Sequence, residues 1–221
     1  MKPLSFFHQR PFHSAVMLAV AVSSLWGLSS CEEHTDIYDR SIKVGSVLLS
    51  DNTVIAPGGY NGKEHQAVGI VFYVNRDTAL VIGLKELGCY QFSDSLETVS
   101  NIANDAHSKS GMENTAAIMA SGIHSPAVEA VRSQLSLVSG WALPSAGELR
   151  TLADNLSVVS ASMRIVKGDA FSDSQYVSSS QDGSSSESEQ MYYLSVSLKN
   201  GYVTSTVKTT PGRVRPVLRL R

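Results

Sequence analysis

The stretch Gly140-Trp141-Ala142-Leu143-Pro144-Ser145-Ala146-Gly147-Glu148-Leu149 holds the sharpest local signal in this chain. Ser145 followed three residues later by Glu148 is a capping box. The serine hydroxyl accepts from the Glu148 amide, and the glutamate reaches back to the Ser145 amide. Two of the orphan donors at a helix start are satisfied in this way. Leu149, Leu152, Ala153 and Leu156 then fall on one apolar face. Trp141 reads as core packing beside Leu143 and the capped helix. Glu148 reads as a cap rather than as an acid catalyst.

Two more helices are predicted upstream. Ser125-Pro126 supplies an N-cap and a first-turn proline, followed by Ala127, Val128, Val131 and Leu135. Ser95 to Ala106 places Leu96, Val99, Ile102 and Ala103 at helical spacing. On either side the pattern is β-like. Ile42 to Leu49 is a strand with Thr53 to Ala56 pairing back. Ala67 to Val74 and Thr78 to Leu84 form a hairpin across Asn75-Arg76-Asp77, buried on both faces. Late in the chain come Tyr176 to Ser179, Met191 to Leu198, Tyr202 to Lys208 and Arg213 to Leu220, with Asn200-Gly201 as a two-residue hairpin turn. Strands, then helices, then strands indicate an α+β domain.

The chain has 221 residues, 43% hydrophobic and 17% charged, enough for one globular core. Its formal charge of −2 argues against nucleic acid as a partner. Lys2 and Arg10 precede an apolar run from Ala15 to Leu28, too short and too marked by Ser and Gly for a stable transmembrane helix. Leu28-Ser29-Ser30-Cys31 then resembles the lipobox of bacterial lipoproteins. The resemblance implies a signal peptide over 1–30, lipidation of Cys31, a tether over 31–41 and a domain over 42–221. Acyl chains on Cys31 would hold the protein to a membrane. Glu32-Glu33 is similar to the surface-export signal of Bacteroidetes lipoproteins, so the implied location is the outer membrane, lipid-anchored and surface-exposed. Cleavage removes Lys2 and Arg10 and no acid, leaving 16 of 18 basic residues against 20 acidic ones, a charge of −4. Cys89 has no disulfide partner and reads as a small buried hydrophobe.

The opening stretch also resembles the GWRLPTxxEL signature of the Legionella-collagen-like C-terminal domain, a family found on bacterial surface proteins. Asn114 to Ile118 and Ser125 to Ala130 resemble that family's helices. Tyr176-Val177-Ser178-Ser179-Ser180 resembles its YWSSTE segment, with Val177 in place of Trp. Asn200 to Val203 resembles its NGYV hairpin, and Val214-Arg215-Pro216-Val217 its closing strand. The opening segment, with Val68 to Tyr73, looks like the version in Bacteroidetes lipoproteins. The likeness covers about Ile42 to Leu220. It implies a C-type-lectin-like fold, related to formylglycine-generating enzymes, with antiparallel strands flanking two or three helices.

Catalytic motifs are missing. There is no Cys pair of the formylglycine-generating kind, no HExxH, no P-loop and no Gly-x-Ser-x-Gly elbow. Calcium needs clustered oxygen ligands, and the lectin motifs Glu-Pro-Asn, Gln-Pro-Asp and Trp-Asn-Asp do not occur. No metal or cofactor is expected. His34, His65, His107 and His124 read as scattered surface residues. Six cations and no acids follow Met191, and Arg213, Arg215, Arg219 and Arg221 share one face of the last strand, which reads as a solvated or ion-paired sheet face. Arg215 is expected to pair with a buried carboxylate, Glu148 being one candidate.

A binding surface is expected at the Ser-rich stretch between Tyr176 and Tyr193. Its residues are Tyr176, Ser178, Ser180, Asp182, Ser184 and Tyr192, with Tyr202 nearby in sequence, a Tyr/Ser composition suited to recognition. The functional expectation is a non-catalytic lectin-like module for a glycan or a protein. The alternatives are an envelope hydrolase and a structural component of a surface assembly.

Overall fold

The β-rich runs starting at Ala67 and Thr78 form the centre of the first sheet. This computed structural model describes residues 41–76, 78–133, 138–183 and 191–220. The chain divides into two units, Met1–Asp39 and Arg40–Arg221, and every described residue belongs to the second. Cys31 and Ser184 lie outside the described residues.

Strands β3 (Ala67–Asn75) and β4 (Thr78–Gly83) pair antiparallel. Strands β1 (Val47–Leu49) and β2 (Val54–Ile55) extend the sheet on one side, and β10 (Val217–Leu220) on the other. Ile70, Phe72, Leu80 and Ile82 enter one apolar cluster, while Val71, Ala79 and Val81 enter another. The sheet is therefore covered on both faces, as its continuous apolar runs require. Asn75 pairs with Thr78, so the β3–β4 connection is two residues, one shorter than expected.

The second sheet has the order β5-β9-β6-β7-β8. Its strands are β5 (Gly88–Tyr90), β6 (Gln175–Gln181), β7 (Tyr192–Ser197), β8 (Val203–Val207) and β9 (Gly212–Val214). Pairing is antiparallel except between β6 and β9, which meet in parallel at Tyr176 and Arg213. The β7–β8 turn is wider than the two residues expected. Ser197 N donates to Tyr202 O at 2.9 Å, leaving four residues in the connection. Gly201 there has φ +70°, the left-handed region that favours glycine.

The last predicted strand is two strands. Pro216 has no N–H for a ladder, and the chain crosses at that point from the second sheet (β9) to the first (β10). Arg215 sits at the crossing and is buried, so it does not belong to a solvated arginine face.

Among the described residues four helices lie between the two groups of strands in sequence: α1 (Gly111–Ser121), α2 (Pro126–Ser133), α3 (Ala146–Asp154) and α4 (Leu156–Ile165). The expectation was two or three. The capping box at α3 is present in both directions. The expected helix over Ser95 to Ala106 does not form. Its backbone is captured by side chains of other elements. Gln181 brackets Val99, accepting from its N–H at 3.1 Å and donating to its C=O at 2.7 Å. Asn114 accepts from Ala103 N at 2.9 Å. Asn101 adopts φ +63°.

The stretch 140–149 is tied to the loop at 107–108 and to β6. The Ser145 hydroxyl donates to Ser108 O at 2.6 Å. Pro144 O accepts from Ser179 N at 2.7 Å, and Ala146 N donates to Ser180 Oγ at 3.1 Å. A Cβ on Gly147 would lie 2.4 Å from the backbone of His107, so the helix starts against that loop only with glycine there. Ser145→Ala removes the hydroxyl from both of its bonds. It is expected to lower stability by about 1–2 kcal/mol in urea unfolding, and a change well under that would show the cap to be redundant.

Candidate functional site

The expected Tyr/Ser surface is taken apart by the fold. Tyr176, Ser178 and Ser180 are buried, which corrects their assignment as ligand contacts. The Ser178 hydroxyl donates to Leu194 O, and Ser180 serves the start of α3. β6 bulges here, with four steps on β6 against two on β7 between the Val177–Ser195 and Gln181–Tyr193 pairs. The serine run is therefore a structural link from sheet to helix. Asp182 and Tyr192 are partly exposed at one end of the β7–β8 hairpin. Tyr202 is 70% exposed at the other. Tyr192 pairs with Val207 and Val196 with Val203. The two tyrosines are thus separated by most of a strand length, roughly 17 Å for five residues, and do not form one site.

Polar chemistry concentrates inside the fold, in two clusters. In the first, the Glu86 carboxylate accepts from the Tyr176 hydroxyl and from Ser172 Oγ. Arg213 approaches it at 3.3 Å and Arg215 at 3.8 Å. Arg215 also donates to Asp169 O and Ala170 O at 3.0–3.1 Å and stacks over Phe171 at 4.3 Å. This corrects the expected pairing of Arg215 with Glu148. Glu148 instead accepts from Ser145 N and Gly111 N and has Arg219 at 3.8 Å. Burial raises the pKa of Glu148, against those hydrogen bonds.

In the second cluster, Lys208 is fully buried. Its Nζ donates to Glu97 O and Gln181 Oε1, both at 2.6 Å, and lies 5.7 Å from the Phe92 ring centre. Among the described residues no carboxylate pairs with it, and burial pushes its pKa down to about 8. Both clusters join segments distant in sequence.

The surface that could accept a ligand surrounds Trp141. Gly140 has φ +94°, and this turn carries Trp141 to the seam where the chain leaves β4 for β5. Trp141 is half-buried and packs against two apolar clusters. One side of it walls a cleft of about 250 Å³ with Val68, Leu84, Lys85, Val138 and Pro216. On the other side a shallower groove runs along α1, past Met112, Ala116 and Met119. A Cβ on Gly69 would lie 3.2 Å from the indole and 2.4 Å from Val81, so glycine gives the ring its place across β3. Among the described residues the indole N–H donates no hydrogen bond. Buried indoles normally have a partner, and half-exposed ones are common where proteins bind. The expectation that Trp141 is a core residue is thus half met.

No protein family model matches the chain, and no curated protein matches it. Its fold is similar to that of a solved fimbrial protein from Bacteroides ovatus. The TM-score is 0.62 and the identity 17%, over 81% of this chain and 49% of that one. At that identity the likeness is one of fold. The chain spans about half the length of the structure it matches.

The remaining expected residues are placed as follows. Cys89 is exposed, not buried, because β5 presents it away from the core opposite Arg213. His124 bridges Asp94 at 2.6 Å and Glu129 at 3.1 Å, and those two hydrogen bonds raise its pKa. The late cations are dispersed. Lys199 pairs with Asp173, Arg213 with Glu86 and Arg219 with Glu113. Among the described residues no group of three His, Cys, Asp or Glu side chains could hold a metal, and no helix is long and apolar enough to cross a membrane.

Proposed function

We propose that this chain is a cell-surface lipoprotein of the Legionella-collagen-like C-terminal domain family, anchored in the outer membrane through Cys31. Its C-type-lectin-like domain binds a glycan or a protein at Trp141 and carries out no catalysis. The observation that carries this reading is the half-exposed Trp141, its indole N–H unused, between two largely apolar grooves. A rigid aromatic with one free donor suits either a sugar ring or an apolar side chain. The cleft walls include Lys85 and Gln66 but no carboxylate, His or Ser among the described lining residues, which favours binding over hydrolysis. The ordered motifs from Gly140 to Val217 support the lectin-like assignment.

Glycan and protein arrays identify the ligand. The sequence contains two tryptophans, and Trp26 lies within the proposed signal peptide, so from Cys31 onward Trp141 is the only indole reporter. Ligand should shift its emission, and Trp141→Ala should weaken binding by at least tenfold, about 1.4 kcal/mol. Trp141→Phe, which keeps the packing, should retain part of it. Unchanged affinity in Trp141→Ala sinks the reading. A second reading, a structural component of a surface assembly, is favoured by the fold it shares with a fimbrial protein. It predicts self-association or filament incorporation with no array hit.

A further inference from the structure

Four strands form the outer edges of the two sheets, and they differ in how they are covered. β2 has two residues and β5 three. β10 is capped on its outer side by Ala142, which exchanges both backbone bonds with Val217 at 2.8 and 2.9 Å. β8 is the longest uncapped edge, with five residues, Val203-Thr204-Ser205-Thr206-Val207. Its ladder to β7 is regular and has no bulge.

The direction of its backbone groups follows from the bonds that bracket that ladder. Ser197 N donates to Tyr202 O, and Lys208 N donates to Met191 O. Antiparallel hydrogen-bonded pairs alternate, so Thr204 and Thr206 bond to β7. Val203, Ser205 and Val207 turn their N–H and C=O groups outward. Among the described residues, only Val207 O of these groups is otherwise engaged, by Thr210 N at 2.8 Å. The usual protections of an edge are missing from the strand itself: it has no charge, no proline and no bulge. The next residue, Lys208, points its charge inward.

The sequence of this edge reads the same in both directions. Paired antiparallel with itself about Ser205, Val203 faces Val207, Thr204 faces Thr206 and Ser205 faces Ser205. Every cross-strand pair is then like with like among β-branched or hydroxyl side chains, which pair favourably, and the strand itself carries no charge. The hydroxyl of Ser205 is held by Asp182 at 2.6 Å, so the pairing rests on the backbone. A two-fold arrangement needs this self-complementarity.

We infer that β8 is a dimerisation edge, pairing antiparallel with β8 of a second copy about a two-fold axis at Ser205. The two five-stranded sheets then continue as one ten-stranded sheet. Four backbone hydrogen bonds form without displacing any bond within either copy. This inference does not depend on the Trp141 cleft, which lies elsewhere on the fold.

The test is site-directed cross-linking of the full chain in a Cys31→Ser, Cys89→Ser background, which holds no other cysteine, with that unsubstituted chain as the blank. In Ser205→Cys the two introduced thiols stand at facing positions, with Cα atoms about 5.5 Å apart. A short thiol cross-linker should trap a dimer. In Tyr202→Cys, equally open to reagent, twin positions lie six residues out of register, roughly 20 Å apart, and should not link. Ser205→Lys should raise the dimer dissociation constant at least tenfold in sedimentation, because two lysines meet at the axis. Linking at Tyr202→Cys in preference to Ser205→Cys overturns the inference. So does a chain that stays monomeric at its highest soluble concentration, or an unchanged dissociation constant in Ser205→Lys.

Discussion

Arg215→Ala is expected to destabilise the domain by about 3–5 kcal/mol, the usual result of removing one partner from a buried ionic network. The side chain is fully buried and serves two segments, 169–171 and the one that carries Glu86. It donates to Asp169 O and Ala170 O, stands beside Glu86 and covers Phe171. Without it two backbone carbonyls lose their donor, and among the described residues Glu86 keeps Arg213 as its one ion-pair partner. Arg215→Lys should recover part of the loss, since an ammonium supplies charge but not the planar fork that reaches two carbonyls. Urea unfolding at pH 7 measures both. A loss below about 1 kcal/mol in Arg215→Ala would mean that β9 and β10 are held at their crossing by packing alone.

Stability should rise between about pH 8 and pH 10 because of Lys208. Its folded pKa is about 8, against about 10.4 for an unfolded lysine. Between those values the unfolded chain holds a proton that the folded chain has released. Stability increases with pH wherever the unfolded state binds more protons. The full effect of such a shift is on the order of 3 kcal/mol. Above pH 10 the tyrosines act in the opposite direction. Burial pushes Tyr193 up to about 12 and raises Tyr176 further. The unfolded chain then loses phenolic protons that the folded chain keeps, and stability falls. Wild type should therefore show a maximum near pH 10. In Lys208→Met, chosen to keep the stem, the rise from pH 8 to 10 should vanish while the fall above pH 10 remains. An identical pH profile in the two proteins would remove Lys208 as the cause.

Local signals in the sequence were legible where the physics is local. The capping box of Ser145 and Glu148 needs only residues three apart, and it forms as read. The β3–β4 hairpin needs apolar runs and a short polar turn, and it forms with one residue fewer between the strands. The segment from Ser95 to Ala106 has helical spacing, yet Gln181, Asn114 and Lys208 claim its backbone from 11 to 111 residues away. No window around Val99 contains that information. The alternation from Arg213 to Leu220 suggested one strand with an arginine face, but the chain changes sheets at Pro216 and buries Arg215.

The candidate site was less legible than the fold. Tyr176, Ser178 and Ser180 have the composition of a contact surface, but the Tyr176 hydroxyl reaches Glu86, and within the β6 bulge Ser178 bonds to Leu194 O and Ser180 to the start of α3. Trp141 lies in the stretch that marks the helix start. Its half-exposure depends on the room that Gly69 leaves across β3 and on the turn at Gly140, whose tertiary surroundings no local pattern reveals. Sequence by itself determined the α+β order, the capped helix and the hairpins, because caps, turns and alternation act over a few residues. Tertiary structure decided which polar groups are buried, which strand edge is left open and where the tryptophan meets solvent. Those outcomes depend on burial and on hydrogen bonds between segments up to 118 residues apart.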